Sequence, residues 1–172
     1  ECGIWDRSGS CLIPLDLIAQ LPRYLRKTIP PDYLDLMGHM NIRWYFDLFA
    51  GSGRRFFSSH GLNEDYFRKG DFGVFTLKQY IQYFAEVRVG QTVAIRTRLT
   101  GRSEKRFHFI QFMINETTNQ LSATFEALIS HGGLNRRRAA PMPAYIAEKF
   151  DATLARDQKR EWEAPLCGAM RL

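Results

Sequence analysis

Asn41-Ile42-Arg43-Trp44-Tyr45-Phe46-Asp47-Leu48-Phe49-Ala50-Gly51-Ser52-Gly53-Arg54-Arg55-Phe56 is the stretch whose reading decides the fold. Trp44, Tyr45, Leu48, Phe49, Ser52 and Phe56 recur at three- and four-residue spacing, which gives a helix one broad face to bury. Arg43, Asp47, Arg54 and Arg55 lie mostly on other faces. Asn41 can cap the start, and His60-Gly61 supplies a glycine stop, so the spacing predicts a helix over 41–59. Gly51 and Gly53 each cost about 1 kcal/mol against alanine inside a helix, which points to a closely packed neighbour.

Downstream the period changes from helical to two. Phe75 to Tyr83, Val93 to Leu99, Phe107 to Ile114 and Leu121 to His131 read as four long strands. Turn signals stand at Val89-Gly90-Gln91, Gly101-Arg102-Ser103 and Asn115 to Asn119, so an antiparallel meander is expected. A helix with so wide an apolar face needs a cover, and the sheet is the one available. The fold class is therefore α+β, an antiparallel sheet wrapped around one long central helix. Ile110, Phe112 and Ile114 make the outer sheet face apolar too, and another subunit is expected there.

Residues 1–27 read as an N-terminal extension, with a short helix between Ile13 and Leu25 interrupted by Pro14 and Pro22. Thr28-Ile29-Pro30-Pro31 reads as extended. Residues 28–143 form the main domain. Residues 144–172 form a C-terminal helix, mostly polar, and a tail that is apolar from Pro165 to Leu172.

The 172 residues are 45% hydrophobic and 13% aromatic, enough for one folded domain with tails and against a mainly disordered chain. No run approaches the ~18 apolar residues of a membrane span, and no signal-peptide pattern is seen. The three cysteines, Cys2, Cys11 and Cys167, make no framework of bridges, and a reducing cytoplasm is expected. His39, His60, His108 and His131 show no ligand spacing, so no metal is expected. The net charge of +6 favours an anionic partner. With no nucleic-acid motif present, a small phosphate-rich ligand such as coenzyme A ranks ahead of nucleic acid.

The chemistry concentrates in Asp32-Tyr33-Leu34-Asp35-Leu36-Met37-Gly38-His39-Met40-Asn41, just before the helix. Asp35 stands among Leu34, Leu36 and Met37, where lost hydration would make its carboxylate a better base. A helix start supplies free N–H donors and a positive dipole end. An acid beside such donors is what acyl transfer needs. On these residues alone a second reading stands beside the first, that Asp35 orders a turn and Asn41 only caps.

Asp35-x-x-Gly38-His39-Met40-Asn41, followed by Tyr45 in an aromatic helix, resembles the hotdog-fold acyl-CoA thioesterases of the 4-hydroxybenzoyl-CoA thioesterase type. Phe75-Thr76-Leu77 to Ile81-x-Tyr83 is similar to their second strand, Glu86-Val87-x-Val89-Gly90 to their hairpin, and Arg136-x-Arg138 with Pro141 to their strand exit. Lys105-Arg106-x-His108 and the Pro165 to Leu172 tail resemble the branch found beside carnitine and betaine catabolism. The resemblance implies a hotdog fold, a homodimer or homotetramer with sites at the subunit interface, and hydrolysis of an acyl-CoA without a cofactor, coenzyme A being part of the substrate. It implies Asp35 as nucleophile or general base, and carbonyl-polarising amides in the Gly38 to Asn41 region. One departure is Lys78, where many members of that branch carry an acid.

The remaining candidates each have a plain structural reading as well. His39 can touch thioester or water, or simply hold the helix start, and Asn41 can orient substrate. Trp44, Tyr45 and Phe49 can build the core, line an acyl tunnel, or cage a cationic acyl group. Thr76 can line the acyl pocket. Arg136, Arg137 and Arg138, and likewise Lys105, Arg106 and His108, can bind coenzyme A phosphates or form solvated faces. Two rival functions are a non-catalytic acyl-CoA binding or sensing module and a hotdog enoyl-CoA hydratase using Asp35 with His39.

Overall fold

The structure, a computed structural model, describes residues 2–5 and 11–172. The elements are β1 (Cys2–Trp5), β2 (Cys11–Pro14), α1 (Leu15–Ala19), β3 (Arg23–Thr28), α2 (Ile42–Ser59), α3 (Glu64–Arg68), β4 (Phe72–Tyr83), β5 (Thr92–Arg102), β6 (Arg106–Asn115), β7 (Gln120–Gly133), β8 (Arg138–Ala139) and α4 (Ala144–Gln158). The long helix and the four long strands stand where the periodicities place them. Gly61 (φ +97) ends the helical region as a C-terminal glycine should.

The strand order is β3-β5-β6-β7-β4, with β8 beside β7. This corrects the meander: β4 pairs with β7, not with its sequence neighbour β5. Residues 84–91 are long enough to carry the chain across, so adjacency in sequence does not enforce adjacency in the sheet. The extension is corrected as well. Its last five residues, with Thr28, are the edge strand β3, antiparallel to β5 from Arg23↔Arg96 to Thr28↔Thr92, and the helix before them is the five-residue α1. Pro14 and Pro22 delimit that helix from outside.

The contacts fall into two compact units. The first holds residues 1–53, 81–97 and 111–125, and the second residues 54–80, 98–110 and 126–172. In the first, Tyr45, Leu48, Phe49 and Ser52 of α2 are buried. Phe49 stacks on Phe125 at 5.3 Å. The Gln111 amide donates to the Phe49 carbonyl (3.0 Å) and accepts from Ser52 Oγ (2.9 Å) and the Gly53 N–H (3.3 Å). This is the close neighbour that the Gly51–Gly53 segment announced.

In the second unit Phe56, Phe107, Phe109 and Phe150 form a fully buried aromatic cluster. His60 joins it, stacked on Phe150 at 4.3 Å, with Nδ1 donating to the Phe56 carbonyl and Nε2 accepting from Thr153 Oγ1. Ile110, Phe112 and Ile114 are already buried within the chain, which corrects the expectation that another subunit covers them. In the second unit the tail is tied to the strands. Arg98 donates to the Trp162 carbonyl, Glu126 Oε2 accepts from the Cys167 N–H at 2.7 Å, and Lys78 Nζ donates to the Ala169 carbonyl. The long strand β4 is exposed over most of its length, at Phe75, Leu77, Tyr80 and Tyr83 among others.

Candidate active site

An antiparallel bridge between Leu34 and Met40 pinches residues 35–39 into a tight loop. Inside it the Asp35 N–H donates to the His39 carbonyl (2.8 Å), and the Gly38 N–H to the Asp35 carbonyl (3.2 Å). The Asp35 side chain closes the loop: Oδ1 accepts from the Met37 N–H at 2.8 Å and the His39 N–H at 3.2 Å. Oδ2 accepts nothing from the described residues. Gly38 turns the chain at φ +80, in the left-handed region glycine enters freely.

The loop is fastened to two flanking segments. The Met40 N–H donates to the Val87 carbonyl (2.8 Å) and the Asn41 N–H to the Tyr33 carbonyl (2.9 Å). His39 Nε2 meets Glu86 Oε2 at 2.7 Å, and Arg88 Nε donates to the other oxygen of that carboxylate at 2.9 Å. The turn-forming reading of Asp35 and the capping reading of Asn41 are thus both realised. Asn41 Oδ1 accepts the Arg43 N–H at 3.0 Å. One carboxylate oxygen builds the loop and the other takes no part in it.

Two expectations change here. Leu36 and Met37 point outward, at 107% and 75% exposure, so they do not strip water from Asp35; a five-residue loop gives them nothing to pack on. What fixes the carboxylate is a pair of backbone amides. The amides expected to polarise a carbonyl are engaged. Those of Gly38, His39, Met40 and Asn41 are all spent on holding the loop. The Ile42 N–H, first of α2, has no acceptor among the described residues and lies at the positive end of the helix dipole.

The aromatic candidates are occupied. Tyr45 is 4% exposed and meets Tyr83 edge-on at 5.1 Å; burial pushes its hydroxyl up to about 12, so it stays protonated. Phe49 is fully buried. Trp44 lies parallel to Tyr33 at 3.8 Å, with Arg43 Cζ 4.4 Å from the Trp44 ring and Lys27 Nζ 5.9 Å from the Tyr33 ring. Thr76 sits on the exposed stretch of β4.

The basic candidates divide. In the second unit a cavity of about 560 Å³ has an apolar lining from Phe75, Leu77, Leu134 and Ala139, with Ser130, Arg106, Arg137 and Arg138 as its polar groups. A smaller one of about 410 Å³ shares Arg106 and Ala139 with it and includes Lys105. Arg136 is exposed and lines neither. His108 is withdrawn altogether, buried with its Nε2 2.8 Å from Glu126 Oε1. The segment bearing Arg138 is held from below by His131, whose Nδ1 donates to the Ala140 carbonyl (2.8 Å) while Nε2 accepts from the Tyr66 hydroxyl (2.7 Å). Arg137 itself is bent to φ +47. Sequence reading missed Glu86 as the partner of His39, and the Ile42 amide, because a hydrogen-bond partner or a spare donor leaves no mark in residue type.

The Thioesterase-like superfamily matches residues 29–150. The chain belongs to that superfamily. Among curated relatives of this thioesterase-like chain, a betainyl-CoA thioesterase of Pseudomonas aeruginosa is 25% identical over 122 residues, 71% of this chain and 77% of that protein. An L-carnitine dehydrogenase/betainyl-CoA thioesterase of Rhizobium meliloti is 25% identical over 150 residues; the match takes in 87% of this chain but 30% of that longer protein. Among solved structures, a hypothetical protein of Staphylococcus aureus in complex with CoA superposes with a TM-score of 0.79 at 20% identity, covering 88% of this chain and 96% of that one. A 1,4-dihydroxy-2-naphthoyl-CoA thioesterase from Synechocystis gives 0.66 at 18% identity, covering 78% and 96%. The fold is the α+β hotdog fold. No helix among the described residues is long and apolar enough to cross a membrane.

Proposed function

We propose that this protein hydrolyses an acyl-CoA thioester to a free acid and coenzyme A. The observation that carries the reading is the division of labour in the Asp35 loop: Oδ1 is pinned by two amides, and among the described residues neither Oδ2 nor the Ile42 N–H, which opens α2 a few residues on, has a partner. Oδ2 takes a proton from the water that attacks the thioester carbonyl, or attacks that carbon itself to form a mixed anhydride that water then cleaves to the free acid and the carboxylate; the Ile42 amide takes the negative charge that develops on the carbonyl oxygen, and coenzyme A leaves as its thiolate. His39, held by Glu86, fixes the loop and has no direct part in this reading.

Arg106, Arg137 and Arg138 are proposed to take phosphate groups of the coenzyme A moiety through charge-assisted bonds. Lys105 lies beside them and Arg136 is dropped from the set. No cofactor is required. The twelve-residue strand β4, exposed and apolar at several positions, favours pairing with a second copy, hence a homodimer; the buried outer-face residues Ile110, Phe112 and Ile114 speak against a tetramer built on them. The free Cys167 thiol supports the cytoplasm as its compartment.

The test is release of free thiol from a panel of short, long, aromatic and betaine-like acyl-CoAs, with turnover expected on at least one. Tight binding of the panel with no thiol released would favour the binding module instead.

A further inference from the structure

The stack beside the Asp35 loop bears on the chemistry of the acyl group. A quaternary ammonium is recognised by bare aromatic faces, usually helped by an unshared carboxylate. Tyr33 and Trp44 are the stacked pair next to the loop, and their inner faces close on each other at 3.8 Å with an interplanar angle of 3°. No side chain fits in that gap. Arg43, 4.4 Å from the Trp44 centroid, therefore covers its outer face, and Lys27, 5.9 Å from the Tyr33 centroid, stands over the outer face of that ring. The result is a four-layer column with a cation of the chain itself at each end.

The nearby acids do not restore a cation site. Glu86 is shared by His39 and Arg88. Burial, and after it the charges of Asp47 and Asp32, raises the Tyr33 hydroxyl's pKa, so those carboxylates act on the ring over which Lys27 already stands. Tyr45 and Phe49, the other rings considered for a cage, are buried. What the loop and the first turns of α2 do present is alkyl and aryl surface: Leu36, Met37, Ile42 and Phe46 are all exposed. These features lie in the first unit.

We propose that the acyl group handled at the Asp35 loop is uncharged and apolar, and that the Lys27–Tyr33–Trp44–Arg43 column turns away quaternary-ammonium acyl groups. This rests on the hydrolase reading and narrows its substrate class. It also separates this chain from the betainyl-CoA thioesterases it is similar to.

The experiment compares the full chain on two thioesters of the same shape, betainyl-CoA and its neutral isostere 3,3-dimethylbutanoyl-CoA, in which a carbon replaces the quaternary nitrogen. Butyryl-CoA serves as a third substrate. Thiol release is expected on the two neutral substrates, with kcat/KM for the isostere at least about tenfold above that for betainyl-CoA. Equal values, or preference for betainyl-CoA, would overturn the proposal and leave the hydrolase reading standing. No thiol from any of the three, nor from the wider panel, would remove the hydrolase reading and the proposal with it. Arg43→Gln uncovers the outer face of Trp44 and should narrow the ratio several-fold toward betainyl-CoA. A ratio unmoved in a folded Arg43→Gln protein would show that the column does not set the preference.

Discussion

Replacing Gly38 by alanine and, separately, by asparagine isolates what the Asp35 loop demands of its backbone. Gly38 adopts φ +80, and a Cβ built there would meet nothing within 4 Å. A methyl group therefore brings no clash, and the whole cost is conformational. A side-chain-bearing residue in the left-handed region loses about 1–2 kcal/mol, against which alanine recovers roughly 0.5 kcal/mol by restricting the unfolded chain. Gly38→Ala should destabilise by about 1 kcal/mol, a fall in Tm of roughly 2–4 °C at this chain length. Asparagine tolerates this region better, as Asn119 does in this chain at φ +53, so Gly38→Asn should cost about half as much or less. Urea denaturation measures both. Thiol release should fall in the same order, because a loop that relaxes withdraws the amides that hold Asp35 Oδ1. An alanine variant losing more than about 3 kcal/mol, or asparagine proving the worse of the two, would refute the claim that the site is open and the strain purely torsional.

Glu126→Ala strands the buried His108 ring nitrogen and the Cys167 amide together, so a loss of about 3–5 kcal/mol is expected, with protease cleavage appearing in the 163–172 tail; Glu126→Gln should lose clearly less. Burial holds the His60 pKa below its ordinary 6.5, so the unfolded chain takes up more protons as the pH falls past that value. The stability tied to a neutral His60 is thus complete above about pH 6.5 and declines as the pH drops toward the lower folded value; urea midpoints at about pH 7.5 and 5.5 should differ less in His60→Gln than in the parent. Arg106→Gln combined with Arg138→Gln should raise KM for acyl-CoA by about five- to fifty-fold with kcat within about twofold, read from steady-state thiol release.

The parts of this fold that repeat are legible in the sequence. The Tyr45, Leu48, Phe49, Ser52 and Phe56 spacing and the alternation in the four strands are local patterns, and α2 and β4 to β7 follow them. Strand order was not legible. That β4 joins β7 depends on where residues 84–91 lead the chain, and residue type does not encode it. β3 was hidden because Arg23, Arg26 and Lys27 lie on an exposed edge strand, where no apolar alternation marks a period.

At the site, Asp35, Gly38 and Asn41 could be picked out by residue type and position. The amides could not. Those of Gly38 to Asn41 read as available because they precede a helix, yet the Asp35 carbonyl and carboxylate and the Val87 and Tyr33 carbonyls consume them. Charge runs misled in the same way. Arg136, Arg137 and Arg138 look equivalent in sequence, but the left-handed Arg137 sends the run round a turn, and only Arg137 and Arg138 reach the cavity.

Asp35→Asn tests most directly the claim that the Asp35 carboxylate performs the chemistry. Asparagine keeps an Oδ1 that can accept the Met37 and His39 amides, so the loop and the fold should persist, while the second oxygen becomes an amide nitrogen that neither attacks nor takes a proton. With an acyl-CoA that the parent turns over, kcat for thiol release should fall by about two orders of magnitude or more at unchanged Tm. A folded Asp35→Asn protein that releases thiol at close to the parent rate would contradict it.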